Sequence, residues 1–195
     1  MTLTRAIALA AALTLTSLGV PQTASAQTPS SPASAPAAHP AAAADVSSID
    51  AILHSLYDVI SGPAGQTRNW DRFRSLFYEG ARLIPATPPI DGPPRARVLG
   101  VEDYINRTAA AFSRQGFYER EIARRVDQFG SIVQVFSTYE SRHSADDAKP
   151  FARGINSMQL YFDGKRYFVV TIFWDAERPA NPLPAKYLET AGDRE

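Results

Sequence analysis

The chain contains no cysteine among its 195 residues. That absence excludes disulfides, thiolate metal sites and a cysteine nucleophile. It also has no excess charge of either sign, with 20 Lys and Arg against 20 Asp and Glu. A balanced surface offers no electrostatic footprint for nucleic acid or an anionic membrane, so neither is an expected partner. Histidine occurs three times, as His39, His54 and His143. There is no His-x-His, His-Glu-x-x-His, Gly-x-Ser-x-Gly or phosphate-cradling glycine loop, so no metal and no cofactor are expected. The longest apolar stretch, Ala6 to Val20, is short for a membrane span and poorly flanked for one.

That stretch reads instead as part of a signal peptide. Arg5 supplies the basic start, the apolar run follows, and Ala24-Ser25-Ala26 forms a small-x-small cleavage site. Residues 1–26 are therefore expected to be removed, leaving a periplasmic or secreted protein that begins at Gln27. No cysteine follows the run to carry a lipid anchor. Without Arg5, 19 basic face 20 acidic residues, a formal charge of −1. Residues 27–44, QTPSSPASAPAAHPAAAA, are almost all Ala, Pro, Ser and Thr. Such a segment has nothing to bury and is expected to be a disordered tether, with His39 in water. The domain is expected over 45–180, a length sufficient for one full core. Residues 181–195 form a proline-rich, then polar, tail.

VSSIDAILHSLYDVISG predicts the first helix: Ile49, Ile52, Leu53, Leu56, Tyr57 and Ile60 share one face. Ser47 with Asp50 suggests a capping box, and His54 falls off the apolar stripe. NWDRFRSLF predicts a second helix capped by Asn69, with Trp70, Phe73, Leu76 and Phe77 buried. ARLIPATPPIDGPPRARVLG gives two short extended pieces around a proline-rich turn. VEDYINRTAAAF is the third helix. From Gly116 the hydrophobic period becomes two, and FYEREIARRVDQ, SIVQVFSTYESRH, ARGINSMQLYF and KRYFVVTIFWDAE predict four strands. Helices followed by long antiparallel strands imply an α+β domain with the helices on one sheet face.

Asp163-Gly164 is the strongest hairpin signal, and a two-residue loop sets Phe162 opposite Lys165. One face then carries Arg153, Ile155, Ser157, Gln159 and Tyr161 with Phe168, Val170, Ile172 and Trp174. The other carries Asn156, Met158, Leu160 and Phe162 with Val169, Thr171 and Phe173. Both faces are rich in large apolar groups, yet the helices cover one side only. The second side is expected to meet a homodimer partner, or else the C-terminal tail.

This order of elements, with texts such as NWDRFRSLFYEGARLIP and YFDGKRYFVVTIFWD, resembles the nuclear transport factor 2-like superfamily, of the SnoaL-like kind, over roughly residues 48–177. The resemblance implies a cone-shaped α+β barrel, with three N-terminal helices packed on a curved, mainly antiparallel sheet around a pocket. It implies that the Trp174 face looks inward, making Ser137, Tyr139, Arg153, Ser157, Gln159, Ile172 and Trp174 the wall, with Tyr57 and Phe73 reaching in from the helices. Ketosteroid isomerases of this superfamily place a carboxylate base after the second helix; here that place is Leu83-Ile84-Pro85. Tyr57 matches their helix tyrosine, and Ser157 falls near their strand aspartic acid. The dehydratase branch uses two histidines, of which only His143 has a counterpart.

Tyr57, His143 and Arg153 are thus the available catalytic candidates, and they do not form a complete acid–base set. Arg153 requires a carboxylate partner or water. The expected function is binding of a small, largely apolar molecule. A lyase or isomerase acting on a hydrophobic small molecule, and a non-catalytic dimerisation or assembly domain, are the alternatives.

Overall fold

A computed structural model describes residues 40–86 and 95–189. The signal peptide, the tether up to residue 39, the proline-rich turn at 87–94 and residues 190–195 lie outside the described residues.

Four helices and five strands follow one another: α1 (Ala43–Val46), α2 (Ile49–Ile60), α3 (Trp70–Ser75), β1 (Phe77–Pro85), α4 (Val101–Arg114), β2 (Tyr118–Phe129), β3 (Ile132–Arg142), β4 (Ala152–Phe162) and β5 (Tyr167–Ala176). A 3-10 turn, Ala185–Tyr187, follows β5. The single turn α1 starts inside the stretch read as tether. Val46 is buried, and Asp45 receives Arg72 Nε and Ser55 Oγ, each at 2.9 Å. Upstream of Asp45, the helical turn begins at Ala43 and Ala41 packs against the core.

The helix termini follow local chemistry. Ser48, one residue beyond the expected Ser47, caps α2 by accepting from Ala51 N at 3.0 Å. Asn69 caps α3 by accepting from Arg72 N at 2.9 Å. Asp103 reaches back to accept from Gly100 N at the start of α4. Phe77 opens β1 rather than closing α3.

The strands form one curved sheet in the order β1-β5-β4-β3-β2, with β1 parallel to β5 and every other pair antiparallel. Leu99 exchanges backbone hydrogen bonds with Leu83 at 2.9 and 3.0 Å, so the second extended piece pairs with β1. The helices pack on one face. Ile52, Leu53, Leu56, Phe73 and Leu76 meet Val133, Val135, Met158, Leu160 and Val169 in a continuous core. Among the described residues no helix is long and apolar enough to cross a membrane.

The β4–β5 register differs from the two-residue hairpin, for two physical reasons. Asp163 Oδ1 accepts from both Lys165 N and Arg166 N at 2.8 Å, which stabilises a four-residue loop. Gly164 provides the positive φ, +94°, that this loop needs. Phe162 consequently pairs with Tyr167 rather than Lys165. That slide of two residues preserves the faces. The second reason is a bulge: Leu160 pairs with Val169, but Gln159 pairs with Thr171, leaving Val170 unmatched. One extra residue exchanges the faces of the rest of β5. Trp174 therefore lies beside Asn156, and Ile172 beside Met158.

The outer face is partly covered by the chain's own tail. Tyr187 packs its ring on Phe136, with centroids 5.4 Å apart, and its carbonyl accepts from Thr138 Oγ1 at 2.6 Å. Arg125 Nε donates to the Lys186 carbonyl at 3.0 Å. Glu177 accepts from Arg153 Nε at 2.8 Å.

Candidate functional site

Between the helices and the concave sheet lies a cavity of about 280 Å³. Its wall is mainly aromatic and aliphatic. Phe73 from α3, Tyr104 and Phe112 from α4, Phe117 from the turn before β2, and Ile172 and Trp174 from β5 supply most of it. Tyr104 stacks on Phe73 at 5.4 Å and meets the Trp174 edge at 6.4 Å; Phe112 stacks on Phe117 at 4.9 Å. Offset and edge-on contacts of this kind hold the rings rigidly.

A few polar groups interrupt this wall. Tyr57, on the buried stripe of α2, directs its hydroxyl to Ser137 Oγ at 2.7 Å and accepts from Asn156 Nδ2 at 3.0 Å. Ser137 in turn donates to Glu121, which pairs with Arg124 Nε at 2.6 Å. A hydrogen-bonded row thus runs from Asn156 on the wall to the Arg124–Asp50 pair at the surface. Because Asn156 donates to Tyr57, the Tyr57 proton goes to Ser137. Desolvation, reinforced by the negative charge of Glu119, pushes the Tyr57 hydroxyl well above the usual phenol range. It stays neutral.

Among the described residues Glu119 is the single acidic side chain on the wall, and no Lys, Arg or His lines the cavity. An irregularity in β2 that leaves Ile122 unmatched sets Glu119 opposite Ser141 on β3 rather than Arg142, and Ser141 Oγ donates to it at 2.7 Å. Its surface is half-buried and opens onto the cavity and the neighbouring groove. Burial raises its carboxyl to about 7, offset in part by the Ser141 hydrogen bond. Tyr104 and Tyr139 are pushed upward by burial and then by Glu119.

Tyr139 owes its place to Gly154, its cross-strand neighbour. A Cβ on Gly154 would stand 2.6 Å from the Tyr139 hydroxyl and 2.4 Å from the Asp175 carbonyl, inside contact distance.

A larger groove of about 430 Å³ lies on the other side of Glu119, between α2 and the β2–β3 strands. It is lined by charged groups, most of them paired with one another: Arg124 with Asp50 and Glu121, Arg120 and Arg142 with Glu140, while Arg142 Nε is buried without a hydrogen-bond partner. Internally paired charges leave little for a ligand to compensate, so the aromatic cavity is the better candidate.

Of the residues expected on the wall, Tyr57, Phe73, Tyr139, Ile172 and Trp174 line the cavity. Ser137 sits just behind it, fully buried and bonded to Tyr57. Arg153, Ser157 and Gln159 do not face it. The Val170 bulge brings Ile172 and Trp174 onto the Asn156 face and leaves these three on the outer one, where Arg153 pairs with Glu177, Ser157 accepts from Gln134 Nε2 at 3.1 Å, and Gln159 is exposed. His143 is also outside: its ring stacks on Phe151 at 4.0 Å and its Nδ1 lies 3.3 Å from the Gly116 carbonyl. It supports Phe151 at the cavity rim. Among the described residues no cluster of three or more His, Asp or Glu is placed to hold a metal ion.

Glu119, Tyr104 and Asn156 line the cavity outside the wall that the sequence predicts, because the two-residue hairpin register sets Asn156 on the face opposite Trp174. Glu119 lies in a strand text so rich in charge that it reads as solvated; the available signal is its period-two alignment with Phe117, since the unmatched Ile122 that sets it opposite Ser141 has no sequence mark.

No family model matches the sequence, and no curated protein matches it. Solved structures do. A protein of unknown function with a cystatin-like fold from Nostoc punctiforme PCC 73102 aligns at TM-score 0.50 and 11% identity, over 70% of this chain and 92% of that one. A putative calcium/calmodulin dependent protein kinase II association domain from Xanthomonas campestris aligns at 0.48 and 13%, over 67% and 86%. An NTF2-like protein of unknown function from Methylobacillus flagellatus KT aligns at 0.43 and 12%, over 67% and 95%. Likeness at these identities is one of fold. With helices on one face of a curved five-stranded sheet, the chain shares the α+β, cystatin-like fold of the Nostoc protein.

Proposed function

We propose that the protein is exported and binds a small, largely apolar molecule inside its cone. The observation that carries this reading is the cavity itself: about 280 Å³, walled by aromatic rings and interrupted by a few fixed polar groups. That composition is typical of sites for small organic ligands. The test is equilibrium binding of 2-phenylethanol to the full domain and to Ala152→Trp. Ala152 lines the cavity and is half-buried, so an indole there fills the space at little cost to the fold. Saturable binding that the substitution weakens at least about tenfold supports the reading. Equal binding to both proteins refutes it. For export, the mature protein's first residue should be Gln27.

A lyase or isomerase is the second reading, favoured by one observation. Glu119 titrates near neutrality beside an apolar cavity, as a general base or acid requires. It supplies the carboxylate that Leu83-Ile84-Pro85 does not. Exchange of the benzylic protons of phenylacetone in heavy water, followed by proton NMR, tests this without a known substrate. Acceleration by the protein that Glu119→Gln removes supports catalysis; a rate equal to buffer alone refutes it for carbon acids of this kind.

The homodimer expected through the outer sheet face stays a proposal. Phe173 and Ile132 are exposed on that side, while the tail occupies the area around Phe136. The assembly reading concerns this face and is compatible with an occupied cone.

A further inference from the structure

Resting on the small-molecule reading of the cone, we propose that its ligand is an organic cation: a hydrophobic molecule with one ammonium group set against Glu119 and the aromatic wall. The first observation is a missing partner. Glu119 accepts one hydrogen bond, from Ser141, and no ion pair to it occurs among the described residues. A carboxylate in a desolvated wall without a cation is costly, and a protein of this kind normally supplies the cation itself. Here none of the described residues lining the cavity is a cation.

The second observation is the set of acceptors around it. An ammonium group has three N–H donors. Beside the carboxylate, the Tyr104 and Tyr139 hydroxyl oxygens make no hydrogen bond among the described residues, and Asn156 spends its Nδ2 on Tyr57, leaving Oδ1 as an acceptor. Rings add to this, because the faces of Phe, Tyr and Trp attract cations, Trp most strongly. Phe73, Tyr104 and Trp174 lie together in the wall. An anionic ligand, by contrast, would meet Glu119 with no compensating charge.

Protonation gives the proposal a second readout. The groups on the cavity side of Glu119 are Ser141 from β3 and the neutral Tyr57, Tyr104 and Tyr139. The groove side holds His54, Asp50, Asp58, Glu121 and Glu140 with Arg120, Arg124 and Arg142, which pair with Glu140, Glu121 and Asp50 while Arg142 Nε has no hydrogen-bond partner. A cation arriving on the cavity side stabilises the ionised carboxyl and so releases a proton near neutral pH.

Isothermal titration with three probes of one shape separates the possibilities: 2-phenylethylamine, 2-phenylethanol and phenylacetate, at neutral pH. The amine should bind about tenfold or more above the alcohol, with phenylacetate weakest. Its heat should depend on the buffer's ionisation enthalpy, reporting proton release. Glu119→Gln should erase the amine's advantage, and the head-group ranking and buffer dependence in the unaltered protein keep the test independent of how that variant folds. Alcohol or phenylacetate binding as tightly as the amine overturns the cation proposal while leaving the cavity reading intact. No saturable binding of any probe overturns both.

Discussion

Ser141 and Glu119 oppose each other on β3 and β2, and the serine hydroxyl donates to the carboxylate at 2.7 Å with no cation alongside. That single contact leaves the carboxyl raised to about 7. Its consequence for stability has a definite sign. Between the carboxyl's ordinary value and about 7, the folded chain holds a proton that the unfolded chain has lost. Stability from this group is therefore complete at acid pH and declines as pH rises through neutrality. Glu119→Gln removes the titration, so the variant should gain on the wild type by on the order of 2 kcal/mol between mildly acid and mildly alkaline pH. Urea unfolding of both proteins across that range checks it, and parallel curves contradict it.

The row Asn156–Tyr57–Ser137 ties β4, α2 and β3 together behind the cavity wall. Tyr57→Phe leaves two buried partners short of a bond and should cost about 1–3 kcal/mol. Ser137→Ala should cost less when Tyr57 is already Phe, because the two share one bond. Additive losses in that cycle would show that the row carries no coupling.

Gly154 is expected to tolerate nothing larger. Gly154→Ala drives a methyl into the Asp175 carbonyl and the Tyr139 ring, and overpacking of this kind costs about 1–3 kcal/mol. Tyr139→Leu in the same chain should relieve part of the loss, since the backbone clash persists. Thermal melts of the single and double variants decide it; an unchanged midpoint for Gly154→Ala would mean that the strands part freely there.

The tail is predicted to compete with self-association. Ending the chain after Glu177 uncovers Phe136 and the face around Ile155 and Phe173. Sedimentation of the shortened protein should reveal a larger species, or a tighter concentration dependence, than the full chain shows. Identical sedimentation would argue that this face is not an interface between copies.

Much of the architecture was legible because it rests on local periodicity. The stripe from Ile52 to Ile60, the cap at Asn69 and the strand alternation after Gly116 each specify an element within a dozen residues. The register was not legible, because it depends on two events without a clear sequence mark. Asp163 could support a two-residue or a four-residue turn, and Val170 is as good a strand residue as any when it bulges. The bulge alone decides that Trp174 shares the cavity face with Asn156, opposite to Arg153, Ser157 and Gln159; the longer loop only slides the pairing. Glu119 was hidden for another reason: burial of a charge depends on what lies across the sheet, and its own segment is one of the most charged in the chain.

The central claim is that the cone holds a small molecule against Glu119. A crystal structure of the protein grown with excess 2-phenylethylamine tests it most directly. The account predicts density for the ring among Phe73, Tyr104 and Trp174, with the amine nitrogen within hydrogen-bonding distance of Glu119. A cone closed by its own side chains, with the probe absent or bound only on the outer sheet face, would contradict it.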